Sequence, residues 1–430
     1  MTLPLRLASS LGLPSGARLE NRIVKAAMSE VLADRVTGAP DAKLVRLYEG
    51  WGKGGAGMLL TGNVMISTES RGELGQVVVD DETHLEVLRE WAQAAQANGS
   101  ALWMQINHAG RQTPRSIADT CLAPSAIPMR RGGGLFAKPI AATDAQIRGL
   151  VRGFATTAAV AKKAGFAGVQ IHGAHGYLVN QFLSPLSNTR GDAWGGDPAR
   201  RMRFLLEIVR AIRAEVGPDF PVGVKLNSAD FQRGGFTEEE SMQVVVALEK
   251  EGIDLLEISG GTYESPAMMG SGDPGAPKKK QRASTAAREA YFLDYARKVR
   301  AITKTPLLLT GGMRTAATME RVIADGEVDL VGLGRPLAYE PDLPKRLLSG
   351  AAEAAITFEA HVSVRLFDDL LQAAFAQAQL ARMARGLDPD LTISPWRVIV
   401  STILHGYLWN PFRRARTLPP KPLATGANPA

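Results

Sequence analysis

Short apolar runs rich in β-branched residues alternate along the chain with longer segments whose apolar positions recur at helical spacing. The runs predict strands over residues 22–28, 57–64, 101–107, 168–171, 222–226, 255–259, 307–310 and 330–333. The segments between them predict helices over 42–51, 86–97, 144–164, 198–214, 238–250, 286–302, 316–324 and 342–348. This alternation fits an α/β protein whose parallel sheet closes into a (β/α)8 TIM barrel, although an open doubly wound sheet satisfies it equally. The strand ends separate the two. VQIHGAH, VGVKLNS, LLEISGG, LLLTGG and LVGLGRP are apolar within and change to Gly, polar and ionisable residues as they end. Functional groups at the C-terminal ends of consecutive strands are what a barrel's active face requires, so the barrel is expected.

Two connections are long: 110–142, which contains a GGG run, and 260–284, which contains PKKKQR. Both would lie on the active face as walls or lids, or serve only as solvated insertions. The pattern divides the chain into a barrel over 1–359 and a helical extension over 360–430, with helices over 361–379 and 380–385. The stretch SPWRVIVSTILHGYLWNPFRRARTLPP then sets Trp396, Tyr407, Trp409 and Phe412 beside Arg413, Arg414 and Arg416. A helix packed on the barrel with a solvated basic end is preferred there over peripheral membrane contact or a dimer clamp. The Pro- and Ala-rich end, from about residue 418, is expected to be disordered.

Composition narrows the class. Of the 430 residues 45% are hydrophobic, and 44 Gly and 25 Pro are scattered without a period, which excludes collagen-like and low-complexity chains. A lone Cys121 excludes an internal disulfide, a Cys-ligated zinc site and an iron–sulfur cluster. The net charge of +7 suits anions such as nucleotide phosphates, but no basic stripe interleaved with aromatics points to nucleic acid. From His361 onward eight Lys and Arg face four Asp and Glu, so much of that charge belongs to the extension. No secretory signal and no uncharged apolar run of about 18 residues is present, which fits a soluble cytoplasmic protein without a transmembrane segment. A homo-oligomer is left open.

Candidate chemistry gathers at the strand ends. His172 and His175 stand three positions apart with Tyr177 two further on, offering donors that can converge on one substrate oxygen and a phenol suited to protonation. No acidic or sulfur partner stands at a spacing that would make them metal ligands. Gln105 carries a paired donor and acceptor suited to the edge of an imide-bearing heterocycle, while His108 reads as structural. Lys225 emerges from an apolar strand, where it needs an anion: a barrel carboxylate such as Glu257, or a cofactor that becomes anionic. Gly311 and Gly312, then Gly334 and Arg335, occupy the loops after strands 7 and 8, the usual phosphate site of such barrels.

These residues bring a family into view. HGAHGYLVNQFLSPLSNTRGDAWGGDPARR over 172–201, with NRIVKAAMS, QINHAGR, TGGMRT and GLGRP, resembles the Old Yellow Enzyme family of flavin-dependent ene-reductases over residues 3–350. The resemblance implies FMN held non-covalently at the C-terminal face, with NADH or NADPH as hydride donor and an activated alkene as substrate. It implies that His172 and His175 bind the carbonyl or nitro oxygen and that Tyr177 donates the proton. Gln105 would meet the flavin pyrimidine edge and Lys225 its N1 side. Ala27, Met28, Ser29 and Asn63 would line the flavin, and Gly311, Gly312, Gly334 and Arg335 would take its phosphate. Ala27 replaces a frequent Pro, Lys225 the commoner Arg, Ser29 a Thr or Cys that tunes flavin potential, and Val31 a substrate-facing Tyr of one branch. The basic run 278–280 with Arg282 could favour NADPH, though it reads more readily as a solvated loop. An alternative from another class is a flavin-free, phosphate-binding barrel lyase or isomerase using Lys225 as Schiff base or general base.

Overall fold

Each apolar run folds into one stave of a closed ring in the computed structural model, which describes residues 6–130, 134–259, 292–362 and 368–404. The staves are β1 (Ile23–Lys25), β2 (Met58–Met65), β3 (Ala101–Asn107), β4 (Gly168–Gly173), β5 (Val222–Asn227), β6 (Leu255–Ser259), β7 (Leu307–Thr310) and β8 (Leu330–Leu333). Every neighbouring pair is parallel, and Leu333 of β8 stands beside Lys25 of β1, closing the sheet. Closure bears out the barrel and excludes the open sheet.

Around the ring lie α1 (Ala42–Lys53), α2 (Leu85–Gln96), α3 (Asp144–Lys163), α4 (Pro198–Val216), α5 (Glu238–Lys250), α6 (described over 292–300), α7 (Ala316–Ala324) and α8 (Leu343–Ser349). Their starts are written locally. Thr143 and Thr237 accept from the backbone three residues on while Gln146 and Glu240 reach back, and Asp197 caps α4 ahead of Pro198.

Alternation along the strands stacks the barrel interior in layers. The floor is Val24, Met58, Leu60, Trp103, Leu255, Leu308 and Leu330, sealed from below by Leu13 and Leu19 on either side of a short hairpin pairing Leu11–Gly12 with Arg18–Leu19. That hairpin has no counterpart in the periodicity. Gly168 and Gly223 accommodate the Trp103 indole: a Cβ on Gly168 would stand 2.6 Å from it, and one on Gly223 3.0 Å. Above the floor the same alternation turns polar, through Gln105, Gln170, Lys225 and Glu257 to Asn107, His172, Asn227 and Ser259.

The expected elements also shift at several of their ends. The first strand ends at Lys25 rather than 28, so Ala27, Met28 and Ser29 leave the barrel as a loop across its top. β4 and β5 run on to Gly173 and Asn227. Beyond the barrel one helix, α9 (Asp368–Met383), replaces the break expected near residue 380, and α10 (Pro395–Ile403) follows. Leu371, Phe375, Leu380 and Ala384 are buried in the same core as the barrel helices, and Arg46 of α1 donates to the Ala384 carbonyl at 2.9 Å. Phe375 packs on Phe358 and Tyr339 with ring centroids 5.0 and 6.4 Å away. The loop 260–284, the basic run 278–280 with Arg282, the start of the helix expected over 286–302, and residues 405–430 with Tyr407, Trp409, Phe412 and the arginines lie outside the described residues.

Candidate functional site

β2 carries the first device of the site. Its pairing with β3 slips between Leu60 and Asn63, a bulge that leaves backbone groups of residues 60–62 without ladder partners. A buried cluster satisfies them. Lys25 Nζ donates to the Leu60 carbonyl at 2.6 Å, the Gly62 amide donates to Glu30 Oε1 at 2.8 Å, and the Tyr48 hydroxyl donates to the same carboxylate. Lys25 also lies over Trp51, 4.3 Å from the ring centroid, and burial pulls its ammonium pKa down to about 8. The bulge thereby sets Gly62 and Asn63 into a cleft at the top of the barrel.

That cleft, of about 230 Å³, is lined by Ala27, Met28, Ser29, Gly62, Asn63, Gln105, His172, His175, Tyr177 and Lys225. Nine of these ten residues are the sequence-derived candidates, converging from β1, β2, β3, β4, β5 and the loops after them. Gly62 is the addition.

On β4, the imidazole of His172 stands edge-on to His175 and to Tyr177, with ring centroids 5.0 and 4.8 Å apart. The Ala174 amide donates to His172 Nδ1 at 3.2 Å, so the neutral ring carries its proton on Nε2. Burial, and secondarily the Lys225 charge, hold both imidazoles well below the ordinary pKa of 6.5. They are therefore neutral donors rather than acids. His175 adopts left-handed backbone, φ 62°, uncommon for a residue with a Cβ. Its amide donates to Asn227 Oδ1 at 3.2 Å and its carbonyl accepts from Gln112 Nε2 at 2.9 Å, which pins the conformation. Its Nε2 lies 2.6 Å from Ser259 Oγ, so one ring nitrogen is already engaged. His108 is buried, takes the Gly110 amide on Nδ1 at 2.9 Å and has its pKa lowered to about 3 by burial, as a structural imidazole should.

Lys225 and Glu257 are register neighbours on β5 and β6, with Nζ 3.0 Å from Oε1. Both readings of Lys225 thus meet in one residue, which pairs with a buried carboxylate and still lines the cleft. The contact is not aligned as a hydrogen bond, which leaves ammonium protons for a ligand. Glu257 Oε2 accepts from Gln170 Nε2 at 2.8 Å, and Gln170 Oε1 accepts from Gln105 Nε2 at 2.7 Å. Ser259 and Gln170 escaped the sequence reading, and Glu257 entered it only as the ion-pair partner of Lys225. Their signal was in the sequence, as polar residues at inward positions of otherwise apolar strands.

Gly311, Gly312, Gly334 and Arg335 do not line this cleft. They sit beside it, because the Ala26 amide donates to the Leu333 carbonyl at 2.9 Å and so holds the end of β8 against the loop carrying Ala27. A Cβ built on Gly311 or Gly334 would meet nothing within 4 Å, and the buried Thr310 hydroxyl at the same end has no hydrogen-bond partner among the described residues. Gly311 and Gly312 have φ of 124° and 73°. Open space ringed by glycine backbone, with an unsatisfied hydroxyl and the exposed Arg335, fits a phosphate. An amide and an ammonium over the barrel mouth fit an electron-accepting heterocycle. The donor set accommodates FMN.

No group of His, Cys, Asp and Glu among the described residues is placed to hold a metal, and no described helix is long and apolar enough to cross a membrane. Among curated relatives, an NADH-dependent flavin oxidoreductase of Neonectria sp. (strain DH2) is 40% identical over 79% of this chain but 47% of its own, so the chain spans about half of that relative. The like-named protein of Hypocrea jecorina (strain QM6a) is 37% identical over 81% of this chain and 88% of its own. The solved old yellow enzyme homologue from Zymomonas mobilis, 24% identical, shares the fold with a TM-score of 0.67 over 82% of this chain and 95% of its own. The model of the NADH:flavin oxidoreductase / NADH oxidase family matches residues 14–353. That span takes in every motif behind the Old Yellow Enzyme resemblance, and the chain belongs to this FMN-dependent family of oxidoreductases.

Proposed function

We propose that the protein takes hydride from NADH or NADPH and reduces the C=C bond of α,β-unsaturated carbonyl compounds or related activated alkenes, in two alternating half-reactions. The observation that carries this reading is the edge-on cluster of His172, His175 and Tyr177 in the cleft that also holds Gln105 and Lys225. Bound FMN would supply the chemistry the side chains lack, accepting hydride from the nicotinamide and returning it to the alkene. Gln105 and Lys225 would hold its ring, with the Lys225 charge stabilising the reduced form. Gly311, Gly312, Gly334 and Arg335 would hold its phosphate, and Ala27, Met28, Ser29 and Asn63 its remaining edges. The relatives' names favour NADH as the donor.

His172 would donate from Nε2 to the substrate oxygen and draw electron density from the β-carbon. His175, with Nε2 engaged by Ser259, would offer its Nδ1 proton whenever Ser259 is the donor of that pair. Two neutral donors polarise the carbonyl without protonating it, so the α-carbon remains the place where a proton is needed. Tyr177 would supply that proton from its hydroxyl. The flavin dependence of the family leaves the flavin-free lyase without support, and Lys225 is committed to Glu257.

Anaerobic stopped-flow on the yellow holoprotein tests the assignment. Tyr177→Phe is expected to leave bleaching by NADH near the wild-type rate and to slow reoxidation by 2-cyclohexenone about 10²- to 10⁴-fold. Wild-type rates in both phases would remove Tyr177 from the chemistry.

A further inference from the structure

The amide of Gln105 can face a ligand with either end, and the two ends select opposite partners: the carbonyl takes an N–H, the amino group takes a carbonyl. Nothing on β3 decides between them. The decision comes from three strands away. Glu257, fully buried on β6, stands 3.0 Å from the Lys225 ammonium, and a carboxylate paired with a cation can only accept, so Gln170 must turn its amino group toward it, as its 2.8 Å bond to Oε2 does. That places the Gln170 carbonyl against Gln105, at 2.7 Å, and Gln105 must answer with its amino group. The Gln105 carbonyl is then the end left for the cleft.

The relay spans β3, β4 and β6 because Gln170 stands in register with Gly223 of β5, which has no side chain to intervene. All three members are essentially inaccessible to water, so no solvent molecule relieves a reversed amide, and a mismatch would strand two buried polar groups. We infer that Glu257 and Gln170 are positioning residues that lock the polarity of Gln105, so that the cleft selects a heterocycle presenting an N–H edge, the imide N3–H of a flavin, over one whose edge is blocked. The inference deepens the flavin reading above and rests on it.

The test is competitive flavin exchange. Holoprotein is equilibrated with mixtures of FMN and N3-methyl-FMN, freed of unbound flavin by gel filtration, and its bound flavins are quantified by chromatography. Wild type is expected to favour FMN at least about 100-fold. Gln170→Met, which cuts the relay but leaves the Lys225–Glu257 pair, is expected to lower that preference about tenfold. Glu257→Gln, which can donate as well as accept and so permits the relay to reverse, is expected to lower it similarly and covers the case of a poorly folding Gln170 variant. A merely structural role would weaken both flavins together, and an unchanged ratio in the variants overturns the inference while the flavin reading stands. Wild-type protein that retains neither flavin overturns the flavin reading itself.

Discussion

Removing either member of the Lys225–Glu257 pair should cost far more stability than removing both. Glu257 is wholly buried and Lys225 is 7% exposed, with 3.0 Å between their charged atoms. Lys225→Met leaves a buried carboxylate satisfied only by Gln170, and Glu257→Leu leaves a buried ammonium and strips Gln170 of its acceptor. Each single change is expected to cost about 3–5 kcal/mol, with about 1–3 kcal/mol more in Glu257→Leu for the stranded amide. The double variant carries neither charge and keeps only the amide defect, so about 1–3 kcal/mol is expected for it. The coupling is then at least about 3 kcal/mol, well above the few tenths expected of independent sites. Urea unfolding followed by far-UV circular dichroism, on flavin-free protein throughout so that ligand binding does not enter, gives all four stabilities. If the single costs simply added, the pair would not be an electrostatic unit and the account of why Lys225 is tolerated inside the barrel would be wrong.

Acid should destabilise the fold early. His108 and His172 are buried and neutral, with folded pKa values below the unfolded 6.5, so the unfolded chain binds more protons and stability falls as pH drops through 6.5. Between pH 7.5 and 5.5 the pair should lose roughly 2–3 kcal/mol, and urea midpoints that stay flat over that range would contradict their burial as neutral groups. Gly168→Ala forces a Cβ to 2.6 Å from the Trp103 indole and should cost about 1–3 kcal/mol in the same assay with a shift in Trp fluorescence; an unperturbed variant would mean the floor is loosely packed. The Cys121 thiol, buried and pushed up to about 12, should ignore Ellman's reagent in the native state and react on unfolding. Arg201 donates to the Leu183 and Gly196 carbonyls and to Glu240, tying down the segment that follows the His172–Tyr177 cluster. Arg201→Lys cannot span all three and should cost about 1–3 kcal/mol, checked by thermal unfolding.

What the sequence disclosed depended on whether the signal was periodic. Inward positions of a parallel barrel strand repeat every second residue, so QINH, VQIHGAH, VGVKLNS and LLEIS announced both the staves and the polar layer within them. Gln170 and Glu257 were legible on the same terms as Gln105 and Lys225. Glu257 was legible as the counter-ion of Lys225, whereas Gln170 shares their layer but carries no charge that would demand a partner. The hairpin floor was not legible, since two-residue strands carry no period to detect. Nor was the β2 bulge, because Leu60, Thr61, Gly62 and Asn63 read as continuous strand until Lys25, Tyr48 and Glu30 converge on them. The position of α9 was likewise hidden, for a helix's sequence says which face is apolar and not which neighbour receives it.

Among the described residues, the sealed floor turns the barrel into a chamber closed at its far end. Trp103 and the hairpin leucines plug that end, so the described residues leave the approach to the histidines on the side of the cleft that Tyr177 and Ser29 line. Under the proposed function, two reactants of comparable bulk would then have to queue, and a well-supplied second reactant would obstruct the first by occupying the threshold. The traffic pattern of that proposed reaction would thus be decided at the opposite pole of the molecule from its chemistry.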